Sequence, residues 1–166
     1  MRVVVGSVVK GLKLKTAVAD WLRDHGHEVI DVGVPDDTVF VKFPSIAQRA
    51  ARVLQRGEAD LGILCCGSGT GMALAAGKFA GICAVSCEST LAAEFARTIN
   101  DANVLCMGES LVAPDHGCRM AEVFLSARFQ DVAGIPQPVL EFWAEARDEI
   151  AARGEVAGER EMETLE

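Results

Sequence analysis

The chain has 166 residues, half of them hydrophobic, and a formal net charge of -8 at neutral pH. That size supports one domain with a substantial core, and the acidic balance argues against nucleic acid, whose phosphates need a clustered basic surface. No apolar run approaches the length of a membrane span, and the amino terminus enters a Val-rich strand without a signal-peptide cleavage pattern, so the expected location is the cytoplasm.

Taken in order, Arg2 to Val5 reads as a buried strand, and Leu12 to His25 follows as a helix with Leu14, Val18, Trp21 and Leu22 on one face and Gly26 ending it. Glu28 to Val32 is a second strand, and a loop with Gly33, Pro35 and paired aspartates leads to a helix from about Pro44 to Arg56, closed by Gly57. Leu61 to Cys65 forms a third strand, which passes through a glycine loop into an Ala-rich helix; Gly81 then opens a fourth strand, Ile82 to Ser86. Ser89 to Ile99 has helical periodicity, Asn103 to Met107 is strand-like, and Pro114 to Ala127 returns to helix. Pro136 and Pro138 mark a joint before a terminal amphipathic helix, Val139 to Arg153. Residues 154–166 are charged and short of large apolar side chains, so residues 1–153 read as the domain and the remainder as a flexible tail. Near-continuous apolar strands alternating with helices imply an α/β fold with a parallel sheet covered on both faces.

In that architecture ligands bind at the carboxyl ends of the strands. Those ends are Gly6-Ser7, Gly33, Cys65-Cys66-Gly67-Ser68, Cys87-Glu88 and Gly108. The third is the richest in chemistry, because a thiol at the mouth of a strand-to-helix turn sits beside backbone N–H groups and the positive end of a helix dipole, which can hold an oxyanion. A dinucleotide site is disfavoured: Gly67-Ser-Gly-Thr-Gly lacks the full fingerprint spacing, and the next strand ends in Ser86 and Cys87 with no acid for a ribose. Taken alone, Cys65 and Cys66 fit equally well as small hydrophobes filling a strand end, the glycines as a tight turn, and Asn100-Asp101 as a helix-end turn. Without an export signal the six cysteines are expected to be reduced, with Cys83, Cys87, Cys106 and Cys118 as core filler. None of the cysteines has zinc-like spacing, and His25, His27 and His116 are remote from the pair in sequence, so no metal site is expected.

Three segments in order carry a resemblance: Gly57-Glu-Ala-Asp-Leu-Gly-Ile-Leu-Cys-Cys-Gly-Ser-Gly-Thr-Gly-Met72, Ala75-Ala-Gly-Lys-Phe-Ala-Gly-Ile82, and Asn100-Asp-Ala-Asn-Val-Leu105 with Gly108. Over about residues 1 to 130 the chain resembles the ribose-5-phosphate isomerase B and galactose-6-phosphate isomerase family. The resemblance implies a Rossmann-like five-stranded sheet in a three-layer α/β/α sandwich. It also implies a homodimer or tetramer with active sites between subunits, and neither metal nor organic cofactor. The implied chemistry is aldose–ketose isomerisation of a small sugar or sugar phosphate through a cis-enediolate. Cys66 falls on the position of the base, Ser68 on a hydroxyl that helps move protons between substrate oxygens, and Asn100 on a residue that hydrogen-bonds the substrate. Backbone N–H groups of the loop, including those of Gly67, Gly69, Thr70 and Gly71, would stabilise the enediolate. The helix terminus beyond the loop would favour the thiolate.

The departures concern the substrate. Val8-Val9 stand where the family usually has Asp-His, Ile99 where it has a ring-opening histidine, Ser110 where it has an arginine for phosphate, and Phe43 where a tyrosine is common. Residues Ala133 to Gln137 replace a basic carboxyl-terminal motif. These losses suit a short or open-chain sugar phosphate held by Lys10, Lys13 or Lys42. They also suit a non-phosphorylated sugar or sugar acid, or a non-catalytic partner subunit. The retained cysteine and glycine loop favour an enzyme.

Overall fold

The computed structural model describes residues 1–157. They alternate strand and helix: β1 (Arg2–Ser7), α1 (Leu12–Asp24), β2 (Glu28–Asp31), α2 (Phe43–Gln55), β3 (Leu61–Cys66), α3 (Thr70–Ala76), β4 (Ala84–Ser86), α4 (Thr90–Thr98), β5 (Val104–Gly108), α5 (Pro114–Ser126) and α6 (Gln137–Ala157). The strands form one sheet in the order β2-β1-β3-β5-β4, with every pairing parallel. This is the α/β sandwich expected from the sequence. From β1 the chain steps outward to β2 and then back across to β3, so the carboxyl ends of β1 and β3 flank a topological switch point, where open parallel sheets bind ligands.

Side-chain alternation divides the core. Val3, Val5, Ile63, Cys65, Leu105 and Met107 pack with α1, α4 and α5, whereas Val4, Leu64, Cys66 and Cys106 pack with α2 and α3. The central strands β1, β3 and β5 are buried almost throughout, while the edge strands β2 and β4 are not. That contrast follows from position, since an edge strand is covered on one side only.

Several boundaries differ from the sequence reading for local reasons. β3 runs one residue further, through Cys66, because the Glu109 N–H donates to the Cys66 carbonyl at 2.8 Å and extends the ladder with β5. β4 begins at Ala84 and not at Ile82, because the Ile82 N–H turns back to the Phe79 carbonyl and the Cys83 N–H is held by the Asn103 side chain at 2.8 Å. Ser89 caps α4, its hydroxyl accepting the Ala92 N–H at 3.2 Å. The terminal helix reaches Ala157, past the expected end at Arg153; the rest of the expected tail lies outside the described residues.

The sequence also placed Trp21 on the buried face of α1, yet Trp21 is only partly buried and Lys15 is buried instead. The Lys15 ammonium donates to Asp31 Oδ2 at 2.7 Å and to the Val34 carbonyl at 3.0 Å. Asp31 also accepts the Gly33 N–H at 2.9 Å. One charge pair thereby fixes the end of β2 and the turn after it to α1. Because Lys15 is buried and Asp31 is one-third exposed, removing the acid strands the more costly charge. Asp31→Ala is expected to cost about 2–3 kcal/mol and Lys15→Met about 1 kcal/mol, measured by urea unfolding; equal losses, or the reverse order, would contradict this account.

Candidate active site

Cys66 is the last residue of β3, opposite Gly108 of β5, and is 8% exposed. Strand alternation turns it toward α2 and α3, into a cluster bordered by Val8, Val32 and Val41. Its neighbour Cys65 points to the other face and is wholly buried. The two thiols therefore have different fates: burial pushes Cys65 up, with the Cys66 and Glu109 charges adding to the effect. Burial likewise raises Cys106, and lifts Cys87 to about 11. These groups remain neutral core filler at physiological pH.

The Cys66 sulfur accepts the Gly69 N–H at 3.1 Å. Gly69 can make this contact because its φ is +81°, in the region that favours glycine. A Cβ there would lie 2.7 Å from Ser86 Oγ and 3.0 Å from the Met107 carbonyl carbon, so β4 and β5 press directly on the loop. Gly108 approaches from the same side, and a Cβ on it would meet the Ser68 backbone at 2.5–2.8 Å. The Ser110 N–H donates to the Gly67 carbonyl at 3.0 Å. The turn after β5 thus clamps the loop after β3.

The expected site residues divide by this geometry. Ser68 and Thr70 are exposed, with their hydroxyls 2.8 Å apart. Gly71 lies beneath the Phe43 ring, within 3.4 Å of where its Cβ would be. Thr70 and Gly71 fall in the first turn of α3, where N–H groups lack helical partners and can face an oxyanion. Gly69 was expected to join that set, but its N–H is directed at the thiol. Lys10 crosses Gly67, its Cγ 3.3 Å from the position of a Cβ there, and its ammonium is 4.0 Å from Glu109 Oε1. Lys13 is exposed on the first turn of α1, and Lys42 is exposed immediately before α2, beside Phe43. Asn100 is not brought to Cys66 within one protomer. It is exposed on the turn that enters β5 from the amino edge, next to Cys83, and a strand length of about 13 Å separates that edge from Cys66.

Two features escaped the sequence reading. The Ser7 hydroxyl, at the carboxyl end of β1, is buried without a hydrogen-bond partner. Glu109, the first residue after β5, reaches back to accept the Lys13 N–H at 3.0 Å. The strand-end rule that selected Cys66 applies equally to Glu109, which follows Gly108 directly.

Among the described residues no helix is long and apolar enough to cross a membrane. A family model described as ribose/galactose isomerase matches residues 3–136. The chain is 45% identical over 131 residues to a 4-deoxy-4-sulfo-D-erythrose isomerase of Clostridium sp. (strain MSTE9), covering 79% of this chain and 82% of that one. It is 36% identical over 133 residues to D-erythrulose-4-phosphate isomerase 2 of Mycolicibacterium smegmatis, covering 78% and 86%. Ribose-5-phosphate isomerase B of Clostridium thermocellum superposes with a TM-score of 0.84 at 33% identity, over 94% of this chain and 99% of that one. With its catalytic-type loop, its sheet order and these matches all agreeing, the chain belongs to the ribose/galactose isomerase family of aldose–ketose isomerases.

Proposed function

We propose that this isomerase interconverts the aldose and ketose forms of an open-chain four-carbon sugar with an anionic group on C4, a sulfonate first among them, using Cys66 as the base. The observation that carries the reading is the 45% identity to the sulfo-erythrose isomerase. Chemistry supports it. A four-carbon aldose can close a furanose ring only through its C4 hydroxyl, and a sulfonate on C4 removes that hydroxyl. Such a substrate needs no ring-opening acid, which suits an apolar Ile99. A sulfonate also carries one negative charge where a phosphate monoester approaches two at neutral pH, which suits a site served by lysines in place of an arginine clamp.

The thiolate of Cys66 takes the proton from C2 of the aldose, and the C2–H electron pair forms the C1=C2 bond of an enediolate. First-turn N–H groups of α3, at Thr70 and Gly71, stabilise the oxygen that gains charge. The Ser68 hydroxyl, paired with Thr70, passes the proton between the two oxygens, and Cys66 returns its proton to C1 to give the ketose. Lys10, Lys13 and Lys42 attract the C4 anion. A second copy of the chain completes the site by bringing its own Asn100 to the loop. The exposed Phe43 and Leu74, which with Pro44 and Phe79 line one apolar depression beside α3, support this, because a partner can cover them.

In deuterated water, turnover of 4-deoxy-4-sulfo-D-erythrose is expected to place solvent deuterium on C1 of the ketose, read by NMR. Cys66→Ala is expected to lower kcat by about a thousandfold while the circular dichroism spectrum is retained. No exchange with that sugar or with D-erythrose 4-phosphate, or a clear preference for D-ribose 5-phosphate, would overturn the proposal. The two loop glycines provide a second check. Gly69→Ala forces a side chain into a left-handed residue pressed against β5 and is expected to cost about 1–3 kcal/mol together with most of the activity. Gly71→Ala, whose nearest neighbour is the Phe43 ring at ordinary contact distance, is expected to change stability by less than about 1 kcal/mol; equal effects in thermal melts would contradict the assignment of Gly69.

A further inference from the structure

Glu109 is placed by the same ladder that places Cys66, since its N–H donates to the Cys66 carbonyl at 2.8 Å. Its side chain, only 16% exposed, turns toward the amino end of α1. There Oε2 accepts the Lys13 N–H at 3.0 Å, and Oε1 lies 4.0 Å from the Lys10 ammonium. The residue before α1 is Gly11, which offers no side chain to cap the helix. It also cannot acquire one, because a Cβ there would meet the Cys65 carbonyl at 2.6 Å. A carboxylate from the turn after β5 therefore performs the capping across the sheet edge.

This arrangement has a consequence for ligand charge. Lys10 crosses Gly67 and the amino end of α1 follows it directly, and Glu109 partly neutralises both. The turn that carries it is the one where the family resemblance led to an arginine, at Ser110. The fixed carboxylate lowers the positive charge that Lys10 and the end of α1 offer a ligand, and its repulsion weighs about twice as heavily on a phosphate dianion as on a sulfonate. We propose that Glu109 is a specificity-determining residue, whose carboxylate caps α1, holds Lys10 over Gly67 and sets the site to take a monoanionic C4 group in preference to a dianionic one. The inference rests on the four-carbon anionic substrate proposed above.

The test compares wild type with Glu109→Gln, which keeps an oxygen able to accept the Lys13 N–H and removes the charge. With 4-deoxy-4-sulfo-D-erythrose and D-erythrose 4-phosphate as substrates, the wild-type ratio of kcat/KM is expected to favour the sulfonate. In Glu109→Gln the ratio is expected to shift about tenfold toward the phosphate, through KM and not kcat. Glu109→Asp, which retains the charge, is expected to keep the wild-type ratio to within about threefold. A ratio unchanged to within twofold in Glu109→Gln would overturn the inference, as would an equal shift in Glu109→Asp. If wild type turns over neither sugar, the substrate reading fails on its own, and Glu109 is judged by calorimetric binding of the unreactive alditols, erythritol 4-phosphate and 4-deoxy-4-sulfoerythritol. The same shift in the ratio of Kd values supports it; an unchanged ratio, or no binding of either alditol, overturns it.

Discussion

The site depends on backbone approaching backbone at the carboxyl end of β3, with no side chain between. Gly11 lies on the Cys65–Cys66 peptide, Gly108 lies on Ser68, and Gly69 lies against Ser86 and the end of β5. At Gly11 and Gly108 the backbone contacts are shorter than a Cβ permits, and at Gly69 a Cβ would meet the Ser86 hydroxyl at 2.7 Å. Together they hold the loop from three sides, which is how a glycine-rich segment acquires a fixed shape despite its intrinsic freedom. The N–H of Gly69 can then be aimed at one sulfur atom without the entropy cost of ordering it at each turnover.

Strand alternation does the rest of the work of selection. Cys65 and Cys66 are chemically identical and adjacent, yet a period of two sends one into the α1, α4 and α5 layer and the other to the ligand edge of the α2 and α3 layer. Desolvation disables the first as a nucleophile. The second keeps a slight opening and an N–H partner. A one-residue slip in the β3 register would exchange their roles, but the fully apolar β3 is pinned by pairing with β1 and β5 on both sides.

What could be read from the sequence follows from which forces act locally. Helices and strands were legible because apolar period and glycine or proline punctuation are local, and the site was legible because parallel sheets place ligands at strand ends. Lys15 was not, since its burial depends on Asp31 and Val34, sixteen and nineteen residues away. Nor was the role of Glu109, whose partners Lys10 and Lys13 lie at the far end of the sequence but adjacent in the sheet edge. Asn100 shows the opposite difficulty. The family resemblance groups it with Cys66, while the topology sends it to the amino edge of β5.

Reaction and substrate are written in different parts of this chain. Proton transfer beside a carbonyl requires a base and an oxyanion site, and in the proposed reaction both depend on backbone geometry around Cys66, where Gly69 and Gly108 leave no room for a Cβ. Ring opening and anion binding are side-chain tasks, and the family resemblance puts them at positions that include 99 and 110, where this chain has Ile and Ser. A C4-blocked four-carbon sugar removes the first of those tasks altogether, because it has no hydroxyl at C4 with which to close a ring. It leaves the second in reduced form when the blocking group is a monoanion. Val8, packed against the cluster that holds Cys66, then stands where the family usually has a polar residue without removing a step that the proposed reaction requires.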